Sequence, residues 1–168
     1  NPESNMGNAV GISPVLQLYK KGILIGMGTD AYTNDMLESL KVALCSQRHN
    51  ACMPNVAWCE VTDMLFKNNA KMAERCGFPT LGVLKPGAAA DVIVMDYKPY
   101  TPFSDANIDG HMIFGMTGRQ CQTTMINGKI LMKDRVLTEI DEEAVNAHVL
   151  ESAKRLWGKL RQYRRMVL

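Results

Sequence analysis

One short stretch, Gly22-Ile23-Leu24-Ile25-Gly26-Met27-Gly28-Thr29-Asp30, constrains this chain more than any other. An apolar run bounded by small residues delivers a single carboxylate at its C-terminal end. Ile23 to Met27 has no polar alternation and lies between turn formers, the pattern of a strand buried on both faces. Such strands belong to parallel sheets covered by helices, where ligands bind beyond the carboxyl ends of the strands. Asp30 then stands where a metal ligand or general base is placed. A second reading, that Asp30 caps the next helix, is open at this point.

The flanking segments fit an α/β unit. Ser13-Pro14 offers a helix start, Val15, Leu16, Leu18 and Tyr19 an apolar face, and Gly22 a stop. Asn34 can cap a helix over about 35–48 with Met36, Leu37, Leu40, Ala43 and Leu44 inward. Thr62 or Asp63 begins another, with Met64, Leu65, Ala70, Met72 and Ala73 inward and Gly77 at its end. After Pro79 the texture turns to β. Val92–Met95 and Met112–Phe114 read as strands, and Cys121–Ile126 and 130–132 flank the hairpin dipeptide Asn127-Gly128. A helix over about 141–164, acidic at its start and basic at its end, closes the chain.

The bulk numbers exclude several classes. In 168 residues, 46% are apolar, which suits a soluble globular protein. A net charge of +2 with both signs dispersed leaves no global footprint for nucleic acid. The basic run of Lys154, Arg155, Lys159, Arg161, Arg164 and Arg165, interleaved with Trp157 and Tyr163, reads as a solvated helix face rather than a nucleic-acid site. No run approaches the ~18–20 apolar residues that span a bilayer, and Asn1–Asn5 carries no signal-peptide pattern. Five cysteines without paired spacing point to a reducing cytoplasm. Cys45, Cys52 and Cys59 recur every seven residues, but Pro54 interrupts a common helix, so burial as small hydrophobes is expected.

Four motifs carry a family resemblance. Asn1-Pro2-Glu3-Ser4-Asn5-Met6 resembles the NPxSN stretch after the seventh barrel strand of amidohydrolase-superfamily deaminases and chlorohydrolases. Gly22 to Asp30 resembles their eighth strand, ending in GTD. Gly82 to Asp96 resembles the GxLxxGxxADxxxxD signature that enters the small β-sandwich, and Asn127-Gly128-Lys129 the hairpin that closes it. Val61 to Ala73 is similar to the helix between them. Together they cover most of the chain, with the nearest likeness to the C-terminal part of SsnA-type aminohydrolases.

The resemblance implies an α/β fold class: the last strand and flanking helices of a TIM-like (β/α)8 barrel at 1–78, part of a β-sandwich at 79–138, and a terminal helix at 139–168. It implies hydrolysis of a C–N or C–Cl bond of a heterocyclic substrate by metal-bound hydroxide, the ion being zinc or iron. Asp30 would be metal ligand and catalytic carboxylate. Ala31 and Asn34 would face substrate, although this branch usually has Gly where Ala31 stands, and the residues themselves favour Asn34 as a helix cap over a substrate contact. Asp91, Gly82 and Gly87 are expected to be structural. The family's His-x-His pair and its further metal histidines are not matched, and His49, His111 and His148 fall outside its motifs. A full barrel takes about 250 residues. The chain therefore reads as a C-terminal fragment, inactive alone and without a tightly bound ion, from a cytoplasmic homo-oligomer with no nucleic-acid or membrane partner. The contrasting expectation is a non-catalytic scaffold domain that oligomerises by strand or domain exchange.

Overall fold

In the computed structural model, which describes residues 1–167, two layers of contact organise the chain. The first is helical. Helices α1 (Pro2–Gly7) and α2 (Val15–Lys20) precede the apolar segment, and α3 (Met36–Ala51) follows it. Leu40, Ala43 and Leu44 of α3 share one face at helical spacing and are the centre of the core. Val15, Met27, Ala57, Val61, Met64 and Ile113 close around them. Asp35, not Asn34, caps α3: its Oδ1 accepts from the Leu37 and Glu38 amides at 3.0 and 3.3 Å. The other oxygen accepts from the Gly118 amide at 2.7 Å, tying the approach to the sheet onto the start of α3.

The next helical run starts earlier than its pattern suggests. Ala57 adopts a left-handed conformation (φ 70°), and α4 begins at once as Trp58–Thr62. It passes through a π-helical turn, Asp63–Asn68, into α5, Asn69–Arg75. The π turn aligns Asn68 and Asn69 toward Ile25–Met27, where both side chains are used.

That use explains the largest departure from expectation. Ile23–Met27 is extended but pairs with no strand among the described residues. Asn69 instead acts as a one-residue strand edge: Oδ1 accepts from the Met27 amide and Nδ2 donates to the Met27 carbonyl, each at 2.9 Å. Asn68 Nδ2 donates to the Ile25 carbonyl at 2.9 Å. Met27 is buried, whereas Ile23 is 48% exposed, so burial on both faces does not hold along the whole run.

The second layer is an antiparallel sheet of order β1-β2-β3-β4: Val92–Met95, Cys121–Ile126, Lys129–Lys133 and Val136–Leu137. The β2–β3 turn uses Asn127 and Gly128, both at positive φ (49° and 78°), the geometry that suits the twist of paired strands. Asp91 secures this turn by accepting from the Asn127 amide at 2.7 Å, a structural role as anticipated. Gly82 and Gly87 take the positive φ values expected of tight turns.

Residues 112–114 are not a strand. Helix α6 (Ile108–Gly110) continues as a π-helical turn, His111–Gly115, which puts Ile113 into the core at 1% exposure. Phe114 stands 6.1 Å from Trp58, ring to ring. A three-residue apolar run has too little periodicity to separate helix from strand, and burial against α3 decides it. Helix α7 (Glu142–Val167) is capped by Asp141, whose Oδ1 accepts from the Ala144 amide at 3.0 Å. No helix among the described residues is long and apolar enough to cross a membrane.

Candidate functional site

The carboxylate at the end of the apolar segment is built by backbone and by a neighbour. Asp30 and Ala31 are consecutive left-handed residues (φ 55° and 57°), and the Tyr32 amide closes the turn onto the Thr29 carbonyl at 3.2 Å. This sharp reversal leaves Asp30 exposed beyond the segment's end. Ser4 of α1 donates its hydroxyl to Asp30 Oδ2 at 2.6 Å. Ser4 itself is 4% exposed, so one Asp30 oxygen is fixed by a buried donor. The other oxygen, Oδ1, accepts no hydrogen bond from the described residues. Ala31 and Asn34 are also exposed, and Asn34 lies next to the residue that does the capping.

Around this carboxylate the chain places further polar groups that sequence reasoning missed. Glu3, adjacent to Ser4, is buried; its Oε2 accepts from Ser39 Oγ at 2.9 Å, and its Oε1 is buried without a hydrogen-bond partner. Asn1 brings its side-chain oxygen so close to Gly28 that a Cβ there would meet it at 2.8 Å. The signal for Ser4 lay within the NPxSN motif, but nothing local tied it to a residue 26 positions away. The Asn68-Asn69 pair, polar residues interrupting an apolar helix face, was the legible sign of the clamp on Met27.

A cavity of about 210 Å³ opens between α1, α2, α3 and the extended segment, lined by Asn5, Ile12, Val15, Ile25, Met27 and Met64 among others. Its wall is mostly apolar. Asp30, Ala31 and Asn34 do not line it.

The histidines and cysteines stay apart from Asp30. His49 is exposed in the last turn of α3, and His148 is exposed on α7. His111, in the π-helical turn, is hydrogen-bonded through Nδ1 with Tyr97 Oη (2.6 Å) and through Nε2 with Thr101 Oγ1 (3.2 Å), one ring nitrogen donating and the other accepting. Cys45, Cys52 and Cys59 are exposed rather than buried, because Cys45 and Cys59 fall off the helix faces that pack and Cys52 sits in the left-handed turn that ends α3. A protein zinc site takes at least three side-chain ligands. Among the described residues no three His, Cys, Asp or Glu side chains converge.

With this geometry in place, likeness to known proteins becomes specific. A sequence model of the amidohydrolase family matches residues 1–131. The chain belongs to the amidohydrolase family. It is 32% identical to a 5-methylthioadenosine/S-adenosylhomocysteine deaminase of Pelotomaculum thermopropionicum, over 92% of this chain and 36% of that protein. It is 33% identical to a 5'-deoxyadenosine deaminase of Methanosarcina mazei, over 95% of this chain and 37% of the other. The chain therefore spans little more than a third of the length of these curated relatives.

Among solved structures, a zinc-bound adenosine deaminase of Xanthomonas campestris superposes with a TM-score of 0.79 at 22% identity, a likeness of fold. It covers 94% of this chain and 36% of the other. Zinc-bound atrazine chlorohydrolase TrzN of Arthrobacter aurescens superposes at 0.64 with 26% identity, over 89% of this chain and 34% of the other. The mixed α/β architecture is thus that of part of an amidohydrolase.

Proposed function

We propose that this chain is the C-terminal portion of a metal-dependent hydrolase that cleaves a C–N bond, by deamination, or a C–Cl bond of a small heterocycle. Asp30 is the carboxylate that this portion contributes to the metal centre and to catalysis. The observation that carries the reading is the Ser4–Asp30 hydrogen bond at the end of the apolar segment. A buried hydroxyl fixes Oδ2, and the left-handed backbone turns the carboxylate outward with Oδ1 free of hydrogen bonds from the described residues. Relatives named as deaminases of adenosine-type compounds, and a neighbour named as a chlorohydrolase, support the two bond types.

In this proposal residues 1–78 are barrel, 79–138 are β-sandwich and 139–168 are the terminal helix. Ala31 and Asn34, just past Asp30, contact the heterocycle. The ion is zinc or iron, with zinc favoured by the zinc-bound neighbours. One carboxylate cannot retain such an ion tightly, so the 168 residues alone are inactive. The protein is cytoplasmic and homo-oligomeric, with neither nucleic-acid nor membrane partners.

A second reading, a non-catalytic scaffold completing itself by strand exchange, draws on the strand-like segment Ile23–Met27 that pairs with no described strand. Metal content and turnover of adenosine-type and chlorotriazine substrates distinguish the two. The full gene product is expected to bind about one ion and to be active, and Asp30→Ala to abolish turnover. Stoichiometric metal in the 168-residue chain alone, or full activity of Asp30→Ala, would overturn the assignment.

A further inference from the structure

Helix α7 presents a broad apolar face to solvent. Over its 26 residues it is about 39 Å long. Val145, Val149, Leu156, Leu160 and Tyr163 are between 41% and 62% exposed, and Leu150 and Trp157, at 62% and 61%, widen the same face. At 100° per residue these side chains, with Ala153 among them, span an arc of about 140°. Asn146 also falls within the arc, one turn beyond Glu142. The α7 side-chain hydrogen bond among the described residues is local, Arg155 to Ser152 at 3.1 Å. A helix with so wide an apolar arc is stable in water only when that arc is covered.

Charge says what covers it. Glu142 sits in the arc near the start of α7 and Arg164 in the arc near its end, equidistant from Ala153. Glu143 and Arg161 flank the same edge of the arc. A parallel partner would stack Glu142 on Glu142 and Arg164 on Arg164. An antiparallel copy would bring Glu142 against Arg164, twice by symmetry, with Glu143 level with Tyr163 and Arg161 with Val145 at the rim. The same two-fold axis at Ala153 sets Leu150 against Leu156 and Val149 against Trp157, large side chains facing each other while the small one allows close approach at the crossing. Asn146 meets Leu160 further out, between this apolar centre and the charged ends. The two helix dipoles are then opposed as well.

We propose that α7 is a homodimerisation element that pairs antiparallel with α7 of a second copy, its two-fold axis passing at Ala153. The pairing is independent of the metal chemistry assigned to Asp30. A helix pair of this length covers an area near the ~800 Å² per partner typical of a stable interface.

Sedimentation velocity of the full-length gene product across micromolar concentrations tests this, with circular dichroism confirming that each variant is folded. A dimer is expected, and Leu156→Glu should weaken it by more than about a hundredfold, since a charge would be buried twice. Glu142→Arg and Arg164→Glu should each weaken it by about tenfold, as two rim pairs become repulsive. The double variant Glu142→Arg/Arg164→Glu should return to within a few-fold of the parent. A monomer throughout, or a dimer indifferent to Leu156→Glu, would mean that another segment covers α7 and would overturn the proposal. Failure of the double variant to recover would overturn it equally, by excluding the antiparallel register.

Discussion

Ser4 and Asp30, 26 positions apart, are joined by a 2.6 Å hydrogen bond in which the Ser4 hydroxyl donates to Oδ2. The bond links α1 to the end of the extended segment and leaves one carboxylate oxygen committed. Ser4→Ala removes a donor to a charged acceptor that water can reach, so a loss of about 1 kcal/mol in urea unfolding is expected. Ser4→Thr, which keeps the hydroxyl, should recover most of it. Equal stability of all three proteins would show the bond to be inconsequential.

Ala31 occupies a left-handed conformation (φ 57°) in which its Cβ crowds the following carbonyl. Ala31→Gly relieves that contact at the cost of added freedom in the unfolded chain. The balance favours glycine by about 0.5–1 kcal/mol, so a higher melting temperature is expected. A lower one would mean that the turn is not held as described.

Gly26 is required by the clamp on Met27. A Cβ there would stand 2.3 Å from Asn69 Oδ1 and 2.7 Å from Met72 Sδ. Gly26→Ala should displace Asn69 and cost about 1–3 kcal/mol, as overpacking does. Hydrogen exchange at the Met27 amide, which Asn69 now protects, should accelerate in parallel. Retained protection would place the clamp elsewhere.

Asp63 joins two helical segments, accepting from Tyr19 Oη at 2.6 Å and pairing with Lys67 Nζ at 2.6 Å. Partial burial pushes its carboxyl upward, but the bonds from Lys67 and Tyr19 outweigh it and hold the group below the usual aspartate range. Its contribution is therefore present above the unfolded carboxyl's titration and is lost as pH falls through the lowered folded value. The bond to Asp63 raises both Tyr19 and Lys67. Their contribution holds below about pH 10 and fades as pH rises through the raised folded values. Asp63→Asn should flatten both limbs of the stability–pH profile. An unchanged acid limb would remove Asp63 from the account.

Asp35 serves two amides of α3 with one oxygen and Gly118 with the other. Asp35→Ala should cost more than the ~1 kcal/mol of an ordinary cap, because the link to the segment leading into β2 goes too. Asp35→Ser keeps only the cap, and its position between the two separates the contributions by chemical denaturation.

Local pattern was sufficient for much of this chain. The spacing of Leu40, Ala43 and Leu44, the Asn127-Gly128 turn, the strand Val92–Met95 and the acidic-to-basic polarity of α7 are properties of neighbouring residues, and each is found as read. The family, too, was legible, because its motifs are short and fall in order along the sequence. Tertiary structure decided the rest. Residues 112–114 are helical because Ile113 finds its burial against α3, which no three-residue window contains. Asp35 rather than Asn34 became the cap because its second oxygen also meets Gly118, 83 residues away. Asp30 drew attention from its position alone, but its partner Ser4 and the Asn69 clamp behind it are long-range hydrogen bonds. Their geometry depends on how the helices pack, and packing is a property of the folded chain rather than of any segment.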